Sequence, residues 1–134
     1  MTILSRLDIS STPEPAPMAF GIIRRDLDEC TSVIAVEGEL DLATAPRLKW
    51  ALLDAIDEGQ RKLVLDLTHT GFMDSTALGV LVAFDRGLDA DARLAIACAQ
   101  SKVLTIFELS GMDGAFLIFD TLEEALAQVG GKAA

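Results

Sequence analysis

The hydrophobic period of the chain changes several times, and each change marks an element. Residues 20–26 (FGIIRRD) and 33–41 (VIAVEGELD) carry the apolar and β-branched residues of two strands, and the polar LDECTS between them makes the pair a hairpin. From residue 45 the period lengthens. Leu48, Ala51, Leu52, Ala55 and Ile56 recur at i, i+3, i+4, i+7 and i+8, one stripe of a helix that the chain leaves at Gly59. Thr44 is placed to cap this helix, and Pro46 suits its first turn. KLVLDL (62–67) is a continuous apolar run, as expected of a strand covered on both faces.

Residues 77–84 are apolar at nearly every position and predict a helix running to about residue 88. RLAIACA (93–99) repeats the buried-strand pattern. Ser101 opens a helix carrying Val103, Leu104, Ile106, Phe107 and Leu109, ended by Gly111. FLIFD (116–120) is a last strand, and TLEEALAQV (121–129) a last helix, with Thr121 and Glu124 spaced as a capping box. The order β-β-α-β-α-β-α-β-α is that of an α/β protein: a mixed, largely parallel sheet with right-handed crossovers, an N-terminal β-hairpin and about four helices. Strand order stays open at this point.

With 134 residues the chain has room for one domain with one real core, placed at 18–130. Ahead of it, Ser10, Ser11, Thr12 and the alternating Pro13, Pro15 and Pro17 predict a loose tail over 1–17, and residues 131–134 are expected to fray. The longest apolar run has eight residues, too short to cross a bilayer, and the first residues lack the pattern of a secretory signal. A cytoplasmic protein is the expectation.

A net charge of −10 repels phosphate backbones and anionic lipid, so neither direct nucleic-acid binding nor membrane binding is expected. A partner with a basic patch is the better electrostatic match. Cys30 and Cys98 read as buried free thiols, His69 as a loop histidine, and neither spacing suggests a metal. The chain has no phosphate-binding glycine loop, and Ser75 does not stand in a G-x-S-x-G elbow. Among Asp26, Asp28, Glu29, Glu37, Glu39, Asp41, Asp66 and Asp74, no spacing singles out a catalytic pair. No catalytic residue, cofactor or metal is assigned, and an enzyme is not expected.

One junction stands apart. In GFMDSTALGVLVAF (71–84) an acid and two hydroxyls, Asp74, Ser75 and Thr76, precede the most apolar helix of the chain. Asp74 or Ser75 could cap that helix, which accounts for one of the three residues and leaves two. Full burial of a helix that is apolar all round is difficult in so small a domain, which points to a docking face. A hydroxyl beside such a face is well placed for a charge switch: phosphorylation adds about −1.5 to −2 units of charge that an apposed partner must desolvate.

Three segments carry a resemblance to a known family: VEGELDLATAPRLKWAL (36–52), LVLDLTHTGFMDSTALGVLVAF (63–84), and the element order through SGMDGAFLIFDTLEEAL (110–126). Over about residues 19–129 the chain resembles the STAS domain, and more closely the bacterial anti-sigma factor antagonists. The resemblance implies a single STAS-like domain that binds an anti-sigma factor, itself a serine kinase, and so releases a sigma factor. It implies that the kinase phosphorylates the hydroxyl after the motif aspartate and ends the complex, and that a serine phosphatase resets it. Carried onto this chain, the acceptor is Ser75, with Thr76 as second choice. The partner-binding set is Glu39, Asp41, Asp74, Ser75, Thr76 and Leu78. Ala77 departs from the pattern, since many relatives have glycine there; alanine makes a stiffer first turn. Two other readings stand beside this one. A STAS module can serve a transporter or a stressosome-like complex, and the α/β order also suits a phosphoacceptor receiver built on Asp66 with Asp26, Asp28 and Glu29.

Overall fold

The computed structural model describes residues 19–112 and 114–130, and the predicted tails at 1–17 and 131–134 lie outside them. The elements are β1 (Gly21–Asp26), β2 (Thr31–Leu40), α1 (Ala45–Asp57), β3 (Lys62–Met73), α2 (Ser75–Arg86), β4 (Arg93–Ala97), α3 (Ser101–Leu109), β5 (Leu117–Phe119) and α4 (Leu122–Val129). Their order is the predicted one.

The five strands form one sheet in chain order, β1 to β5, with β1 antiparallel to β2 and the other pairs parallel. Asp28 shapes the opening hairpin, its Oδ1 accepting the amides of Cys30 and Thr31 at 2.9 and 2.8 Å. Each later strand is added on the same side of the one before. Right-handed crossovers taken in one direction put every crossover helix on one face, so α1, α2 and α3 all lie there.

Leu48 and Leu52, then Leu78, Leu81 and Phe84, then Val103 and Phe107 bury against Ile34, Val36, Leu63, Leu65, Leu67, Leu94 and Ile96. The last helix follows no crossover and packs on the opposite face. There Ala125, Leu126 and Val129 meet Val33, Val64, Ala95 and Ala97. Strands β3 and β4 are thus covered on both sides, which explains their continuous apolar runs.

Several sequence expectations need correction. The third strand does not stop at residue 67 but runs on to Met73. Thr68, His69 and Gly71 interrupt the apolar pattern there, but the long β2 still supplies ladder partners, with register shifts between Ala35 and Glu37 and between Gly38 and Glu39. Gly38 takes φ 97° at this irregularity, a conformation that costs a glycine little. Thr70 is buried on this extension and donates from Oγ1 to Val36 O at 2.9 Å. His69 is accordingly an exposed strand residue, not a loop residue.

Thr44 stands at the N-cap of α1 but makes no side-chain cap bond. Its hydroxyl donates to Glu39 O at 2.8 Å and accepts the Asp41 amide at 2.9 Å. Pro46 does sit in the first turn, and Gly59, with φ 101°, is where the chain turns away after α1. For α4 the Thr121 half of the capping box is present, its hydroxyl accepting the Glu124 amide at 3.1 Å. The reciprocal bond from the Glu124 carboxylate is not among those of the described residues. Cys98 is buried as expected, whereas Cys30 is only half-buried; both are free thiols.

Candidate functional site

The site is built by two neighbouring strands that end together. Leu40 pairs with Met73, and the Asp74 amide donates to Leu40 O at 3.0 Å. The chain therefore leaves β2 and β3 side by side, and at each exit an aspartate organises the start of a helix. Asp41 Oδ1 accepts the amides of Ala43 and Thr44 at 3.0 and 3.1 Å. Asp74 Oδ1 accepts those of Thr76 and Ala77 at 2.9 and 3.1 Å.

This geometry divides the work among the three junction residues. Asp74 is the N-cap of α2. Ser75 and Thr76 take the first helical positions, both exposed, and neither hydroxyl is hydrogen-bonded among the described residues. The cap is supplied without them, so both hydroxyls are available for chemistry. A negative group there faces the positive end of the helix, but Asp74 next to it and Glu39 and Asp41 on the adjoining strand end oppose it.

The structure brings Glu39, Asp41, Asp74, Ser75 and Thr76 to one end of the sheet. Leu78 is different. It is 7% exposed and packs in the main core, so its side chain lies beneath this surface and not on it, contrary to the expectation that it belongs to the partner-binding set. The same holds for half of the apolar circumference of α2. Ala77, Leu78, Leu81 and Phe84 are the buried stripe, while Thr76, Gly79 and Ala83 are exposed and Val80 is half-buried. The outward stripe and α1 enclose a groove of about 400 Å³ lined by Lys49, Leu53, Thr76, Gly79, Val80, Ala83 and Phe84.

Two exposed apolar residues at this end escaped the sequence reading. Phe72 is 42% exposed and pairs with Glu39; Leu42 is 72% exposed in the turn that Asp41 holds. A strand continued to Met73 would have revealed Phe72, because alternation turns Met73 inward and Phe72 outward. Trp50, on α1, is 60% exposed with Lys49 Nζ 5.7 Å from its ring centre.

Other acids are engaged locally. The Ser32 hydroxyl, donating at 2.6 Å, and then Arg24 hold the Asp26 carboxyl below its ordinary pKa. Hydrogen bonds from the segment Cys30–Thr31 do the same for Asp28. Asp66 Oδ1 accepts from the Thr68 amide at 3.0 Å and the Thr68 hydroxyl at 2.6 Å. A receiver-type acidic cluster around Asp66 therefore does not assemble: Asp26, Asp28 and Glu29 lie at the β1–β2 hairpin, where Asp26 and Asp28 are bound to their own neighbours.

The mixed α/β sheet thus brings acids, two unengaged hydroxyls and exposed apolar side chains together where β2 and β3 end. The residues 23–125 match the STAS domain family, and the chain belongs to it. It is 30% identical over 100 residues to the anti-sigma-F factor antagonist RsfB of Mycobacterium tuberculosis, covering 75% of this chain and 82% of that protein. The crystal structure of an anti-sigma factor antagonist from Mycobacterium paratuberculosis superposes with TM-score 0.79 at 30% identity, covering 86% of this chain and 97% of the other. The antagonist SpoIIAA in its unphosphorylated form matches with TM-score 0.71 at 25% identity, over 82% of this chain and 96% of the other. The Bacillus cell fate determinant SpoIIAA in its phosphorylated form matches with TM-score 0.62 at 25% identity, over 83% of this chain and 99% of the other.

Proposed function

We propose that this protein is an anti-sigma factor antagonist of the cytoplasm, which binds an anti-sigma factor kinase, frees a sigma factor, and is switched off by phosphorylation of Ser75. The observation that carries the reading is the division of labour at the start of α2: Asp74 caps the helix, and the Ser75 hydroxyl is exposed without a bond among the described residues. The family membership and the antagonist relatives support the same role, as does the existence of SpoIIAA in two phosphorylation states.

In the transfer the Ser75 oxygen attacks the γ-phosphorus of ATP on the kinase. The bond to the β-phosphate bridging oxygen breaks, ADP leaves, and the hydroxyl proton passes to a base of the kinase. A serine phosphatase hydrolyses the ester and restores the hydroxyl. The new dianion has Asp74, Glu39 and Asp41 as neighbours, so it remains directed at the partner. A partner surface apposed to it must desolvate a charge it cannot pair, and the complex dissociates while the fold persists. Thr76 is the second acceptor, one residue further into the helix.

The test combines kinase, ATP and the full chain, with the modified residue mapped by mass spectrometry. Ser75→Ala is expected to bind the anti-sigma factor as the unmodified protein does and to take up no phosphate at this junction. Ser75→Asp is expected to bind at least about tenfold more weakly, equal to roughly 1.4 kcal/mol. Equal binding by the two variants would refute the switch.

A further inference from the structure

We propose that the groove between α1 and α2 is the apolar half of the docking surface, and that it receives an apolar side chain of the anti-sigma factor over Gly79. This rests on the antagonist role proposed above. Gly79 lies in the interior of α2, is exposed, and a Cβ placed on it meets no atom within 4 Å. Glycine is a poor helix former, and no neighbour within the described chain requires its lack of a side chain. The gap it leaves opens the groove between Leu53, Val80, Ala83 and Phe84. A helix that gives up intrinsic stability for an empty position on an apolar wall is shaped for contact with something outside itself.

The occupant follows from continuity and charge. Thr76 lines the groove and is also part of the junction, so a protein seated on Asp74–Thr76 reaches Gly79 without leaving the surface. The junction end of that surface carries Glu39, Asp41 and Asp74, with the apolar Leu42 and Phe72 exposed beside them. A second copy of the chain, at net charge −10, would set the same acids against these. A partner that inserts an apolar side chain into the groove and sets lysine or arginine against the junction acids matches both halves; Lys49, which lines the groove, favours cations on the junction side only.

The experiment titrates purified anti-sigma factors of the organism that encodes this chain with four full-length proteins: wild type, Gly79→Leu, Ala83→Trp and Ser75→Glu. Thermal unfolding and sedimentation are measured on each. A side chain at Gly79 starts into open space and Ala83 is exposed on the same wall; Gly79→Leu is expected to unfold at or above the wild-type temperature. Each groove variant is expected to weaken binding at least tenfold while its hydroxyl stays unmodified. If the folded groove variants bind as tightly as wild type while Ser75→Glu does not, the groove inference is overturned and the antagonist reading stands. If wild type binds none of the anti-sigma factors, the antagonist reading falls and this occupant falls with it. If Gly79→Leu breaks a wild-type dimer and leaves anti-sigma binding unchanged, the occupant is a second copy and the proposal is wrong.

Discussion

Asp74 and Ser75 are adjacent, and a single hydrogen-bond pattern gives them different duties. Removing the Asp74 carboxylate orphans the two amides it serves. Asp74→Ala is therefore expected to destabilise the protein by about 1 kcal/mol in denaturant titration. Ser75→Ala, which removes no cap, is expected to stay within about 0.5 kcal/mol of wild type. The sequence alone left the cap open between these two residues, since either oxygen can serve and only the backbone path into the helix selects one. Asp85 offers a second contrast. Partial burial raises its carboxyl pKa, so the ionised form costs the folded state stability at neutral pH. That cost fades as pH falls through the raised value and is gone below the ordinary carboxylate range. Asp85→Asn should thus unfold at higher temperature than wild type near pH 7, with the advantage shrinking in acid, as thermal melts across pH would record.

At the scale of elements, α4 shows how little local propensity a short helix needs once it is packed. It has eight residues, and its hold on the sheet is Ala125, Leu126 and Val129 against the alanine-rich face of β4. An isolated helix of that length is marginal in water. Leu126→Ala is expected to cost about 2–5 kcal/mol, measured as a lower midpoint in urea. Elements with a strong apolar period, such as α1 and the first half of β3, were legible from the residues. The second half of β3 was not, because its pairing with β2 depends on register shifts that polar residues and glycine disguise. Thr44 misled for a related reason: its hydroxyl is drawn to the Glu39 carbonyl and the Asp41 amide, leaving Asp41 to organise the turn.

Across the whole molecule the excess of acids bears on association more than on the fold. The junction end carries Glu39, Asp41 and Asp74 within a chain of net charge −10, so the approach of a basic partner is steered by a field that salt screens. Stopped-flow mixing with the anti-sigma factor should show the association rate falling by about tenfold or more as ionic strength rises from roughly 0.01 to 0.5 M. If the docking surface proposed above holds, with its apolar contacts at Leu42, Phe72 and the groove, the dissociation rate should change far less.

The residues by themselves determined the α/β order, the inward stripe of α1, the acidic character and the presence of an acid followed by two hydroxyls. All of these depend on neighbours a few positions apart, through helical and strand periodicity and through composition. Which strand ends meet, which of Asp74 and Ser75 caps, that Leu78 turns inward while Phe72 turns outward, and that Gly79 faces an open groove were decided by the tertiary structure. Each depends on register and packing between segments far apart in the chain, and a one-residue change of register would have exchanged the buried and exposed sides.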